Sequence, residues 1–335
     1  MGHKAYGIDF GSNTIKVYRK GQGIVLTEKN IVSTVGKDKR PVAVGEDAYE
    51  MYERAPASIH VAFPIKRGII SDMDDMVALW NFAGKKLAGH RRFKGGDFYL
   101  SVPADITDVE KKAYERIITD SECKPKKVML IPKPVADAYG LGLDVEQSSG
   151  ILIANLGADT VEISVLSRGG IVVSKILPYG GNDYDDKIRN YVRKKYNFLI
   201  GKRTAEFVKT SLISAVPDDR AVKVVGRDVV KGLPGEITLS SAEINPLIND
   251  RFDDIAVAIR AVIERTPPEI SHEIKQRGVF VTGASSWING IDDVIMRETG
   301  IGVNVSKDAQ KTVASGLGFL TEHSKLAAKY AIKFK

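Results

Sequence analysis

The sequence predicts an α/β fold made of two duplicated halves, each carrying an insertion. Three observations point there. The first is an internal echo. Residues 8–18 read IDFGSNTIKVY and residues 154–164 read ANLGADTVEIS, so that Gly11 matches Gly157, Thr14 matches Thr160 and Asp9 matches Asn155. In both copies an apolar run of β type enters a short glycine-containing turn and leaves as a second such run. A third run follows each copy, Gly23 to Leu26 after GQG and Ile171 to Ile176 after SRGG. A repeated unit at this separation implies a duplicated domain with a cleft between its halves.

The second observation is the alternation of strand and helix patterns. Phe98 to Val102 reads as a strand, and Thr107-Asp108-Val109-Glu110 reads as a capping box. The helix it opens carries Val109, Ala113 and Ile117 at helical spacing. Val128 to Ile131 is the next strand. Gly180-Gly181 precedes a helix with Tyr184, Ile188, Tyr191 and Val192 on one face. Ile255, Ala258, Ile259, Val262 and Ile263 mark another amphipathic helix, stopped by Pro267-Pro268. Val279 to Thr282 is a strand that ends in the small-residue turn Gly283-Ala284-Ser285-Ser286. This order argues for an α/β architecture. The third observation is two interruptions. Residues 31–65 are polar and punctuated by Pro and Gly; residues 183–249 are longer and more helical. Each reads as a small subdomain mounted on a core.

With 335 residues the chain is long enough for two domains. Hydrophobic residues make up 43% and charged residues 27%, as in an ordinary folded protein. Cys123 is the single cysteine, so a disulfide within the chain is excluded and a reducing compartment is expected. MGHKAYGIDF carries no apolar signal-peptide core, and no run approaches a membrane span. The expected location is the cytoplasm. The net charge of +7 suits an acidic partner, nucleic acid or an anionic membrane, although it also suits a merely soluble surface. No zinc-ligand spacing, helix-turn-helix signature or aromatic RNA-binding box is present, which argues against nucleic acid.

Several longer pieces resemble one family. GQGIVLTE, AVGEDAYEM, SVPADITDVEKKA, YGGNDYDDKIRNYVRKKYNFLIGKRTAE and VASGLGFL are similar to the MreB family of bacterial actins, and the match at 183–206 is the most specific. The resemblance covers nearly the whole chain. It implies an actin-like fold of four subdomains: IA from 1–30, 66–146 and 315–335, IB from 31–65, IIA from 147–182 and 250–314, and IIB from 183–249. It implies ATP or ADP with Mg²⁺ in the cleft, and head-to-tail filaments at the inner face of a bacterial membrane. The implied partners are further copies of this chain, a paralogous MreB and cell-shape membrane proteins.

Two glycine turns facing each other can present backbone N–H groups to phosphates. In the first, Gly11 permits close approach. Ser12, Asn13 and Thr14 offer polar groups, an actin-like arrangement lets Lys16 reach a phosphate, and Asp9 suits a hydrated Mg²⁺. The plainer reading is an ordinary tight hairpin. The second turn departs from the family pattern. Asn155 stands where the family has an Asp, so metal binding there is weakened. Gly157, Ala158, Asp159 and Thr160 form the turn; Asp159 adds a carboxylate near phosphate, a repulsion of roughly 1 kcal/mol or more. Val161 removes a hydroxyl.

The family's catalytic glutamate lies in IEEPMAAAIGAG, where this chain reads IPKPVADAYGLG. Lys133 therefore occupies the glutamate position. An ammonium cannot accept a proton from water and pairs with phosphate instead. Asp137 is a substitute acceptor or else a helix-surface carboxylate. On the adenosine side Glu206 and Lys209 are kept, and Ser211 replaces a usual glutamate. The GGGA turn becomes Gly283-Ala284-Ser285-Ser286, followed by Trp287. These changes predict weak or absent hydrolysis, with nucleotide binding retained or weakened.

Residues 85–96, KKLAGHRRFKGG, surround Leu87 and Phe93 with basic groups, as suits shallow insertion among anionic headgroups. A solvated basic loop is the alternative. The C-terminal LTEHSKLAAKYAIKFK is a second candidate, or a helix packed on the core. The functional expectation is a cell-shape filament subunit. The rivals are an active ATPase driving filament turnover, a plasmid-segregating actin, and a sugar or acetate kinase, for which no sugar-binding signature is found.

Overall fold

The structure, a computed structural model, describes residues 4–89, 93 and 95–333. The chain opens with β1 (Ala5–Phe10), β2 (Thr14–Arg19), β3 (Gly23–Lys29), β4 (Val32–Val35), β5 (Arg40–Val44) and α1 (Glu46–Met51). Next come β6 (Ile59–Ala62), β7 (Ile65–Lys66), β8 (Ile69–Ile70), α2 (Met73–Ala88), β9 (Asp97–Val102), α3 (Asp108–Thr119), β10 (Lys127–Pro132) and α4 (Lys133–Gly140). The second repeat supplies β11 (Ile151–Leu156), β12 (Val161–Ser167), β13 (Gly170–Leu177), α5 (Gly181–Tyr196), β14 (Phe198–Leu199) and α6 (Lys202–Leu212). Then follow β15 (Ala221–Asp228), β16 (Pro234–Ser240), α7 (Ser241–Ile244), α8 (Asn249–Glu264) and α9 (Pro268–Arg277). The chain continues through β17 (Val279–Thr282), α10 (Ile291–Thr299), β18 (Val303–Val305), α11 (Thr312–Glu322) and α12 (Ser324–Tyr330).

The chain divides into two compact units, residues 1–153, 164–174 and 310–335 in one and 154–163 with 175–309 in the other. Among the described residues two five-stranded sheets form, in the orders β10-β9-β1-β2-β3 and β13-β12-β11-β17-β18. Each therefore begins from the hairpin-plus-strand that the echo in the sequence marks. The interruptions carry sheets of their own, β5-β4-β6 and β14-β15-β16. The first has a small separate core of Ile31, Ala48 and Tyr49.

β1 is buried at every position, since α11 packs on it and β9 and β2 flank it. A strand covered on both faces reads as a continuous apolar run. β1 pairs in parallel with β9, which pairs in parallel with β10, while β2 returns antiparallel to β1. Tyr6, Phe10, Trp80 and Phe98 meet on one side of this sheet, with Trp80 edge-on to Phe10 at 5.9 Å and to Phe98 at 6.0 Å. Thr107 and Glu110 form the expected capping box of α3. The buried face of α3 is Tyr114, Ile117 and Ile118, however, and Val109 is 79% exposed. Helical spacing alone placed Val109 on the inner face, but the first buried residue of α3 is Tyr114, in its second turn. α5 buries Tyr184, Ile188 and Val192 as expected, with Tyr191 at the margin of that face.

The C-terminal VASGLGFL motif acts in packing. α11 lies against α4 and β1 so closely that a Cβ on Gly316 would overlap the carbonyl of Ala136, and one on Gly140 that of Thr312. Gly318 similarly lies against the ring of Tyr18. In a free helix Gly316→Ala would raise helix propensity by up to about 1 kcal/mol. Here the new methyl group has to push two helices apart, and overpacking typically costs about 1–3 kcal/mol. Gly316→Ala is expected to lower the unfolding midpoint in a denaturant titration; an unchanged or raised midpoint would refute this contact as the reason for the glycine.

Candidate phosphate-binding turns

The first turn joins β1 to β2. A Cβ on Gly11 would lie 2.7 Å from the Thr14 carbonyl oxygen, so the turn closes too tightly for a side chain. Asn30, fully buried just after β3, braces it: Nδ2 donates to the Gly11 carbonyl at 2.8 Å and its backbone N–H to that of Asn13 at 2.9 Å. Asp9 sits at the end of β1 and accepts from the Ser101 hydroxyl at 2.9 Å. Lys16 is directly across the ladder from Asp9, is 7% exposed, and donates to the Thr14 hydroxyl at 2.6 Å. Burial lowers the proton affinity of Lys16; Asp9 opposes this and Lys133 adds to it.

Lys133 is the first residue of α4, which begins directly off β10 with no side-chain cap. The register pairs Ile131 with Ser101 and Pro132 with Val102. Asp9, Ser101 and Lys133 therefore gather at the carboxyl ends of three adjacent parallel strands, where open α/β sheets place their ligand groups. Asp137 is fully buried, so the helix-surface reading of that carboxylate does not hold. α4 is covered along its length by α11, and the residue faces into the protein.

The second turn repeats the first in its backbone. A Cβ on Gly157 would lie 2.8 Å from the Thr160 carbonyl, and Asn155 Oδ1 would be 3.8 Å away, where Asp9 Oδ2 would be 3.9 Å from a Cβ on Gly11. The equivalence runs further than the echo suggested. Val161 is buried like Ile15, and Glu162 is buried at the position of Lys16. Val161 is thus a core position, and a hydroxyl there would face the interior rather than a phosphate. Asp159 accepts from the Asn182 side chain at 2.6 Å.

Three further glycines wall this turn. Gly180 lies against the carbonyls of Gly157 and Ala158, Gly181 faces Ser285 Oγ and Lys209 Nζ, and Gly283, at φ +82°, lies against Leu156 and Asn155. Ser285, in a short 3₁₀ turn over Ala284–Trp287, donates to the Gly157 carbonyl at 3.3 Å. The hydroxymethyl group therefore occupies the notch beside Gly157 and Gly181. Lys209 donates to the Gly181 carbonyl at 3.0 Å and to the Asp185 carboxylate at 2.8 Å. Burial pushes the Asp185 carboxyl up to about 6, against the pull of Lys209. Glu206 lies half-buried one turn before Lys209, and Trp287 is half-exposed with its indole N–H on the Ser306 carbonyl at 3.2 Å.

Sequence reasoning missed Asn30, Ser101, Asn182 and Asp185. Ser101 had a usable signal, a polar residue at the end of the apolar strand FYLSV. Asn30 had none, because its role depends on where β3 ends.

Leu87 and Phe93 do not face outward. Phe93 packs edge-on to Tyr6 at 5.1 Å and to Trp80 at 5.8 Å, and Leu87 packs against the same cluster. Insertion into lipid would break these contacts. His90, Arg91, Arg92 and Lys94 of this loop lie outside the described residues. The C-terminal helix also packs inward, as one of its two readings anticipated. Ala327 and Tyr330 are buried, Tyr139 donates to the Tyr330 hydroxyl at 3.2 Å, and the Ile332 N–H donates to Leu130 at 2.9 Å. Phe334 lies outside the described residues. No described helix is long and apolar enough to cross a membrane.

A family model described as MreB/Mbl protein matches residues 3–329. The chain is 35% identical to "Cell shape-determining protein Mbl" of Bacillus subtilis (strain 168), covering 95% of each. It is 35% identical to "Cell shape-determining protein MreB" of Escherichia coli (strain K12), covering 93% of this chain and 91% of the relative. Among solved structures it is similar to MreB 5 of Spiroplasma citri bound to AMPPNP, with a TM-score of 0.90 and 28% identity over 97% of this chain and 98% of that one. A filament structure of MamK, at 19% identity and a TM-score of 0.78 over 96% of this chain and 99% of that one, shares the fold.

Two outcomes follow from this geometry. Asp185 has its folded carboxyl raised above the usual value near 4. Its protonated form is the one that folding favours, so its contribution is full below about pH 4 and is lost as pH rises through about 6. The stability of the parent relative to Asp185→Asn should fall by up to roughly 3 kcal/mol between these limits, at 1.36 kcal/mol per unit. Thermal melts of both proteins across that range check the sign. Phe93→Ala is expected to destabilise the first unit by roughly 3 kcal/mol, the low end for loss of a packed ring, because Phe93 is only partly buried. A Phe93→Ala protein with unchanged unfolding midpoint would show that the ring is dispensable to the core.

Proposed function

The chain belongs to the MreB/Mbl family, and from that premise we propose that it is a cell-shape filament subunit that binds adenine nucleotide and hydrolyses it slowly or not at all. The observation that carries the reading is the charge at the strand ends of the first unit. The backbone of the phosphate turn is intact, while Lys133 stands where the family pattern has its water-positioning glutamate. The similar Spiroplasma citri proteins are solved with AMPPNP and with ADP. On this reading the turn 11–14 and Lys16 contact phosphates, as do Gly157 to Thr160, and Glu206, Lys209 and the 283–285 turn serve the adenosine. The four-subdomain division keeps the boundaries given above, with the two small sheets as the cores of IB and IIB.

Filament assembly follows from the family: a heterologous contact that does not close generates an open polymer. We place its action at the inner face of a bacterial membrane, supported by the net charge of +7. The tip between β15 and β16 adds to this support. Val229, Val230 and Leu233 are 49%, 80% and 62% exposed there, beside Arg227 and Lys231. Electron microscopy and light scattering at high protein concentration, with and without anionic vesicles, test assembly and membrane recruitment together. A protein that stays monomeric under all nucleotides, salts and lipids would remove the filament reading.

Loss of a water-positioning group costs roughly 10²–10⁴ in rate. Phosphate release by the parent is expected to lie below that of an active MreB by that order. Lys133→Glu with Asn155→Asp should raise it. Release by the parent at the rate of an active relative, abolished by Asp9→Ala, would restore the ATPase reading.

A further inference from the structure

We propose that a groove along α2 binds a basic, amphipathic helix of a partner protein. The inference goes beyond the filament and nucleotide readings and depends on neither.

The groove has a volume of about 670 Å³ and lies wholly within the first unit. Its base is one stripe of α2. Met73, Val77, Ala78 and Phe82 follow one another at helical spacing, with Asp74 at one end and Lys85 at the other. From Met73 to Lys85 the stripe runs about 18 Å, or about three turns, at about 1.5 Å per residue. β5 contributes Val42 and Val44, and the end of α3 contributes Arg116 and Asp120. The Glu122 N–H donates to Asn81 Oδ1 at 2.9 Å, which ties the chain after α3 to α2.

β5 is an edge strand, and an edge can take up a further strand. Pro41 offers no N–H, however, and the register shifts between Ser33 and its neighbour Thr34, the partner of Pro41. Both features blunt strand addition. A straight apolar stripe about three turns long suits a helix laid along it, anchored through side chains three and four residues apart.

Charge selects the occupant further. Lys39 pairs with Asp72, and Arg116 with Asp120 at 2.8 Å. Asp47, Asp74 and Glu122 then outnumber Lys85 among the remaining charged residues that line the groove. All four are exposed. A chain of net charge +7 thus presents an acidic groove. The surface as a whole repels a basic partner and this groove attracts one, so charge fixes where such a helix lands. Its apolar face fills the stripe, and Lys or Arg on its flanks reach the carboxylates.

The test is titration of the full chain, below the concentration at which it assembles, with a synthetic helix. The probe has about 16 residues, enough for a helix to form, with leucine at every third or fourth position and lysine elsewhere. Two control peptides accompany it, a scrambled order of the same residues and the same pattern with glutamate for lysine. Saturable binding of the first peptide and of neither control is the expected result, with slowed hydrogen exchange along residues 73–85. Asp74→Lys with Glu122→Lys should weaken binding by about tenfold at low salt, and the gap should narrow as salt rises. Val42→Gln, at a position 48% exposed, should weaken binding and leave its salt dependence unchanged. A melt of each variant confirms that it is folded. Equal binding by the scrambled peptide, or no loss in the variants, would overturn the inference. Protection of residues 73–85 on self-assembly without peptide would also overturn it, because the groove would then be an interface between copies.

Discussion

β9 lies between β1 and β10 and is hydrogen-bonded in parallel to both. Parallel pairing forces three chain segments to end at the same edge of the sheet. There Asp9, Ser101 and Lys133 come together although 124 positions separate the first from the last. The register leaves little freedom. Ile8 pairs with Leu100, which pairs with Leu130, so a one-residue slip would carry every side chain to the opposite face and break the fit on both. The opposite face is covered by α11, whose approach requires the bare backbone of Gly7, Gly140 and Gly316. The positions of the charged groups are thus a consequence of core packing. Their chemical identities are not.

The two turns illustrate that separation. Gly11 and Gly157 meet the same constraint, a carbonyl oxygen three residues on that leaves no room for a Cβ. Ile15 and Val161 are both buried immediately after the turn. Between them the backbone and the apolar pattern repeat closely. The polar positions diverge: Asp9 against Asn155, and Lys16 against Glu162. A turn fixed by sterics keeps its shape when its charges change, so substitutions that alter chemistry are tolerated by the fold. This is why two turns of one chain can keep the same backbone while their charged groups differ.

The division between legible and hidden features follows the same line. The echo, the capping box at Thr107 and the amphipathic face of α5 were readable because each depends on local spacing. The exposure of Val109 was not, because it depends on where a neighbouring element ends. Phe93 shows the limit most clearly. A basic loop with one aromatic residue has the composition of a membrane anchor, and composition carries no direction. In the fold the ring turns back onto Tyr6 and Trp80, covering apolar surface of the core. Asp137 failed for the related reason that one turn of helix can face either way until α11 is placed. The repeat and the resemblance marked the turn residues as candidate positions, while their braces Asn30, Ser101 and Asn182 left no such mark.

Ser285 marks where the altered chemistry begins to affect shape. Beside Gly157 and Gly181 the glycine backbone leaves a notch. Here a hydroxymethyl group fills that notch, and its hydroxyl satisfies the Gly157 carbonyl at 3.3 Å. A carbonyl that is already satisfied makes little demand on a ligand. Lys209 is drawn the same way, toward Gly181 and Asp185, both inside the protein. Lys209 and Ser285 are thus both held by contacts within their own unit, and the notch is closed by the protein's own atoms.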